Sequence, residues 1–171
     1  MRIVIFLIFN TLIFIGCGYK PTVEYTKNVL GDEIFVNVKT NINDPENTVL
    51  LKDAINEAVV SRFKSKLVPA SKANSKLFIK LNKVKFEPIQ YDKNGYIIAY
   101  KAFVYLDTKY IDKMGKSGMI QTKGEYDFPI ESNSVISDSK RFEAIKFASF
   151  KALEEFISKI SVRGLYGGNG K

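Results

Sequence analysis

Ser61 and Lys64, and again Ser137 and Lys140, stand three residues apart. At that spacing a lysine can activate a serine nucleophile, provided burial lowers the lysine pKa. Lys116-Ser117-Gly118 could supply the third element of a penicilloyl-serine signature, but the middle element, Ser-x-Asn, is missing. Gly167-Gly168-Asn169-Gly170-Lys171 resembles the end of a phosphate loop, yet the loop's first glycine would fall at Leu165. The acid pairs Glu154-Glu155 and Glu125/Asp127 are adjacent on a helix or alternate on a strand. They read as solvated faces, since an acid/base couple needs one carboxyl in an apolar pocket. The chain has no His and one Cys, which excludes a Ser-His-Asp triad, a Cys-His dyad, an intramolecular disulfide and a thiolate or His-ligated metal site. No enzyme, no cofactor and no metal follow from these residue types.

What remains is charge. The 171 residues carry 26 Lys+Arg against 18 Asp+Glu, a formal +8, which points to nucleic acid, a membrane surface or an acidic glycolipid. Lys76, Lys80, Lys83 and Lys85 lie on one expected strand, with Lys101 and Lys109 on its hairpin partner. Interleaved with Phe78, Phe86, Phe103 and Tyr105, they form a cationic, aromatic surface suited to phosphate and acyl chain together. Lys83, Lys85, Lys101 and Lys109 are the candidate contacts to an anionic lipid. The plainer reading of the same lysines is a solubilising face with protected strand edges.

Cys17 chooses among the anionic partners. Eleven of the thirteen residues from Ile3 to Ile15 are apolar, preceded by Arg2 and followed by Gly16-Cys17. As a helix, 16 residues span only about 24 Å, short of the ~30 Å hydrocarbon core. The pattern is that of a secretory signal. Phe14-Ile15-Gly16-Cys17 resembles a bacterial lipobox, with Phe14 where Leu is common. The resemblance implies a lipidated Cys17 at the mature start. Gly18, in place of the Asp that marks inner-membrane retention in enterobacteria, implies the outer membrane. Removal of residues 1–16 takes only Arg2 from the charge balance, leaving +7. Nucleic acid is then excluded as a partner by compartment.

Elements must position these residues. Residues 17–32 read as a lipidated tether, extended over Gly18–Gly31, 33–163 as one α+β domain, and 164–171 as a flexible tail. Glu33–Thr40 is a first strand. A helix runs from about Pro45 or Thr48 to Leu67, Asp44-Pro45-Glu46 suiting its start, with a buried stripe of Leu51, Ile55, Ala58, Val59, Phe63 and Leu67. Ser75–Phe86 is a second strand whose apolar parity switches between Leu81 and Val84, which requires a bulge near Asn82-Lys83. Asn94-Gly95 makes a hairpin turn into Tyr96–Ile111, and Met119–Ile130 alternates as a fourth strand with one wet face. A last helix, capped by Ser137 or Ser139, runs to Val162 on a face of Phe142, Ile145, Ser149, Ala152, Phe156 and Ile160. The expected fold is α+β: a four-stranded mixed sheet with two helices packed on one face, in the order β-α-β-β-β-α.

Cys17-Gly18-Tyr19, this element order, a mature length near 155 residues, the Asn41–Thr48 loop and the long C-terminal amphipathic helix together resemble the LptE-type lipopolysaccharide-assembly lipoproteins. The resemblance implies a protein without catalytic activity. It would plug and support an outer-membrane β-barrel lipopolysaccharide translocon, bind lipopolysaccharide, and sit lipid-anchored facing the periplasm or the barrel lumen. The alternative is an envelope lipoprotein that acts as a binding or activator module for a cell-wall or other envelope complex.

Overall fold

A computed structural model of the chain describes residues 22–39, 49, 52–53, 55–57, 60–61, 64–132 and 134–167. The expected signal segment, Cys17, the Asn41–Thr48 loop and four stripe residues of the first expected helix (Leu51, Ala58, Val59, Phe63) lie outside these residues. The elements are α1 (Thr22–Leu30), β1 (Glu33–Lys39), α2 (helical residues within 49–61), β2 (Lys66–Leu67), β3 (Ser75–Tyr91), β4 (Ile97–Ile111), β5 (Ser117–Pro129) and α3 (Asp138–Gly167). The strands form one mixed sheet in the order β2-β1-β3-β4-β5. β1 is parallel to β2 and to β3, while β3, β4 and β5 form an antiparallel meander.

The α+β class and the parallel first crossover follow the sequence pattern. A fifth strand and a third helix do not. The expectation that Gly18–Gly31 is an extended tether is corrected by α1. Thr26 and Leu30, four residues apart, bury against the core, and Thr26 shares a buried 2.7 Å hydrogen bond with Ser161 of α3. A helix of nine residues is too short for a periodic signal to be read. The second correction concerns Leu67, expected in a helical stripe. The helix stops before Lys64, which sits at φ 50. Lys66 N–H then bonds Asp32 O at 2.7 Å and Val68 N–H bonds Ile34 O at 3.1 Å, so the free edge of β1 recruits a two-residue strand. The third is the tail: α3 continues helically to Gly167. At its start, the Ser137 hydroxyl accepts the Lys140 N–H at 3.3 Å as an N-cap.

β3 keeps its apolar face where its sequence changes parity, because a bulge absorbs the switch. Leu77, Ile79 and Leu81 point to the helices, the register with β4 shifts between Leu81 and Lys83, and Val84 and Phe86 then point the same way. The two hairpins share one design. In Asp92-Lys93-Asn94-Gly95-Tyr96 and Asp112-Lys113-Met114-Gly115-Lys116, one Asp Oδ1 accepts the N–H groups two and four residues on, at 2.8–2.9 Å. Gly95 and Gly115 take φ 85 and φ 80, a left-handed position that closes the turn, whereas Asn94 has no positive φ. Asp92 also accepts the Ser132 hydroxyl at 2.7 Å. That bond first, opposed by burial, and then the Tyr96 and Asn94 amides hold its carboxyl below the usual range. A depressed folded pKa stabilises the turn above the unfolded value and ceases to do so as pH falls through the folded one. Amides 94 and 96 should therefore exchange faster with solvent on acidification below about pH 4, and an Asp92→Asn variant should lose that dependence.

The core lies between the sheet and α3, with Ile145, Ala148, Ala152, Phe156 and Ile160 against Leu106, Tyr110, Ile120 and Phe128. Phe142, expected in that face, is instead 41 % exposed. Among the described residues, the buried hydroxyls of Thr108 and Thr122 have no hydrogen-bond partner. Thr108→Val keeps the shape and removes the unmet group. It should stabilise the fold by about 1 kcal/mol in urea denaturation, and a loss of stability would show that the hydroxyl is bonded.

Candidate functional site

The face of the sheet away from α3 carries the four candidate lysines. Its rows across β3, β4 and β5 read Lys83–Tyr105–Lys123, Lys85–Phe103–Glu125 and Glu87–Lys101–Asp127. Lys83, Lys85 and Lys101 are therefore brought together. Lys109 lies opposite Phe78, six residues along β4 from Phe103 and about 20 Å away. Acids interrupt the cationic surface. Lys85 pairs with Glu87. Lys101 lies 3.5 Å from both Glu125 and Asp127, and Lys123 lies 2.7 Å from Glu125. That last hydrogen bond raises the pKa of Lys123 and lowers that of Glu125. Lys83 and Lys109 have no ion pair with another described residue. Exposed pairs of this kind contribute little to stability, but in these rows Glu87, Glu125 and Asp127 offset most of the positive charge a phosphate would meet.

The aromatic rings on this face are covered from within. The Lys123 ammonium sits 4.3 Å from the centre of the Phe103 ring, and Phe103 is only 9 % exposed. Strand alternation placed Phe103 on the wet face but could not show this lid, because Lys123 arrives from β5, twenty residues later. The outer edge of β5 is also engaged: Glu155 of α3 accepts the Lys123 N–H at 2.7 Å, and Lys159 donates to Gln121 O at 2.8 Å. Burial pushes the Glu155 carboxyl up, but bonds from Lys159 and the Lys123 amide outweigh it and leave the pKa lowered.

A second region is absent from the sequence reading. Around the Asp92–Tyr96 turn, here the distal end, Ile89, Tyr91, Tyr96 and Val135 are exposed. A hollow of about 320 Å³ is lined there by Phe86, Tyr100, Val135, Ile136 and Arg141. It adjoins one of about 540 Å³ that includes Ile130, Val135 and Lys140. The Arg141 guanidinium lies 5.6 Å from the centre of the Phe86 ring. The Lys140 ammonium is 3.2 Å from Glu143, which also accepts the Tyr126 hydroxyl. The hollow offers rings and aliphatic groups with a guanidinium at its margin. Sequence alone could not assemble it, since it joins β3, β4, the 130–137 loop and the first turn of α3. The described residues hold no group of acidic or thiol side chains able to bind a metal, and no described helix is long and apolar enough to cross a membrane. Cys17 lies before the described residues, on the chain leading into α1.

The fold has a counterpart among solved structures. The chain shares the fold of a Xanthomonas campestris protein of the DUF330 family, with a TM-score of 0.50 and 10% identity over 80% of this chain and 87% of that one. Rare lipoprotein B from Shewanella oneidensis matches at 12% identity and TM-score 0.40, over 79% of this chain and 92% of its own. A lipoprotein from Caulobacter crescentus matches at 15% identity and TM-score 0.44, over 88% and 97%. These last two structural neighbours are bacterial lipoproteins. No family model and no curated protein matches the chain.

Proposed function

We propose that the chain is an outer-membrane lipoprotein, anchored through Cys17, that plugs and supports assembly of the lipopolysaccharide translocon β-barrel and binds lipopolysaccharide. The observation that carries this reading is the distal end. Its hollow pairs ring and methylene surface with the Arg141 guanidinium, a combination that suits an acyl chain beside a phosphate. The exposed Ile89, Tyr91, Tyr96 and Val135 around it are the kind of apolar rim that a barrel wall would cover. Of the four candidate lysines, Lys83 and Lys109 are the two with no ion pair to another described residue, which leaves them open to an anion. No step of catalysis is assigned to any residue.

The activator reading ranks behind. With Thr22–Leu30 folded as α1, only the stretch from Cys17 to Thr22 can act as a tether, a reach of at most about 17 Å. That is too short to carry the domain far from its membrane.

Co-purification in mild detergent through a C-terminal tag tests the proposal. A large β-barrel should accompany the protein, and Cys17→Ser should move the protein out of the membrane fraction. Surface lipopolysaccharide should fall when the protein is depleted. Normal lipopolysaccharide export in a depleted strain would sink the reading, and capture of a cell-wall synthase without a barrel would favour the activator.

A further inference from the structure

The end of the domain opposite the distal hollow carries its own signal. At the tip of the β4–β5 turn Met114 is 75 % exposed, between Lys113 and Lys116. The turn is held by Asp112, whose carboxylate accepts the Met114 and Lys116 N–H groups at 2.9 and 2.8 Å. A rigid turn that presents a large apolar side chain to water gains nothing for folding by doing so. Met119 and Val162, both exposed, extend the apolar surface behind it, and Arg163 lies beside them, its guanidinium bonded to the Tyr110 hydroxyl at 2.6 Å.

The charges at this end are mostly of one sign. Asp32 is 2.6 Å from Lys27, and its carboxyl is held below the usual range by Lys27 first, with Lys66 and Lys113 adding to it. Asp112 is occupied by the turn. Lys66, Lys113 and Lys116 have no ion pair with another described residue. The position in the chain is equally specific. Lys113 N–H donates to Val29 O at 3.1 Å, so the turn touches the end of α1. The nine residues of α1 span about 13 Å, and the stretch from Cys17 to Thr22 adds at most about 17 Å. A lipid on Cys17 thus brings this end, and not the other, within reach of the bilayer.

We propose that this end is a second membrane contact: Met114 inserts at headgroup level between Lys113 and Lys116, and these ammonium groups, with Lys66 and Arg163, bind the phosphates of an anionic bilayer. The proposal rests on the lipoprotein part of the functional reading and is independent of any barrel. On a bilayer without a barrel it fixes the orientation of the domain, with the Asp92–Tyr96 turn pointing away from the lipid and left free for a partner.

The chain contains no Trp, so Met114→Trp creates a single fluorescent reporter in the full acylated protein. Asn94→Trp on the opposite turn is the matched control. In vesicles of phosphatidylglycerol with phosphatidylcholine, emission from position 114 should shift to the blue and be quenched by brominated acyl chains. Emission from position 94 should remain that of a water-exposed indole. Charge reversal at Lys113→Glu and Lys116→Glu should weaken the signal at position 114 on anionic vesicles by roughly tenfold or more, because each basic residue adds to binding near such a surface. Equal exposure of positions 114 and 94 in a protein whose mass shows acylated Cys17 overturns the contact alone. A purified protein without acyl mass overturns the lipoprotein reading and the contact with it. A signal at 114 that is as strong on phosphatidylcholine alone, and unmoved by charge reversal, overturns the phosphate recognition.

Discussion

Replacing Gly124 with alanine, a change of one methyl group, is expected to cost about 3 kcal/mol or more of stability. Gly124 lies in the middle of β5 and is fully covered by α3. A Cβ built there would overlap the carbonyl oxygen of Ala148 and the amide nitrogen of Ala152, both helix backbone. Backbone cannot swing aside as a side chain does. The variant must either lift α3 from the sheet or bend β5 away from it. Ala144, Ala148 and Ala152 on the facing side of the helix are small for the same reason: they let helix and sheet approach closely. Lifting α3 would loosen Ile145, Phe156 and Ile160 together, so valine should cost more than alanine. Urea midpoints of the two variants check this. An unchanged midpoint for Gly124→Ala would show that the helix stands farther from β5 than described.

Phe128→Ala is the second large effect, at about 3–5 kcal/mol. Phe128 is 2 % exposed and forms the centre of an aromatic cluster. It meets Phe86 edge-on at 6.1 Å and Tyr100 and Tyr126 in stacked geometry at 6.2 and 6.5 Å. Tyr126 in turn stacks on Phe147 at 4.9 Å. Truncation leaves a cavity among rigid rings that cannot collapse into it. Under the proposed function the loss should also reach ligand binding, because Phe86 and Tyr100 line the distal hollow. Thermal unfolding measures the first effect, and binding of a lipopolysaccharide fragment at a temperature where the variant is still folded measures the second. A Phe128→Leu variant, which refills most of the volume, should recover more than half of the stability. Equal loss in both variants would contradict a packing origin.

Both sites separate what the sequence displays from what it conceals. Alternation over Met119–Ile130 identified the inward face of β5, Phe128 included, because a strand with one wet face repeats every two residues. The parity switch at Leu81–Val84 located the bulge on the same ground. Gly124 went unread, since a missing side chain is invisible to a count of apolar ones. α1 and β2 were lost because each is too short for any period to establish itself. The functional surface divides in the same way. Strand parity placed Lys83, Lys85 and Lys101 on one face, but their neutralisation depends on register with Glu125 and Asp127 of β5, and register is a property of the paired sheet. The distal hollow draws on four separate segments, so no local pattern could announce it. The expectation for Cys17 rests on its sequence neighbours alone and lies outside the described residues.

The clasp of Glu155 and Lys159 over the rim of β5 bears on how the protein tolerates crowding. A lipid anchor would confine copies to a plane, where encounters between neighbours are far more frequent than in free solution. An unguarded thirteen-residue strand at the margin would then be a template for chain-to-chain zippering and fibre growth. With the Lys123 amide and the Gln121 carbonyl already bonded to α3, an incoming strand must break those bonds before it can gain register. Two side chains on one helix turn thereby guard that edge against self-association, even at the density a membrane plane would impose.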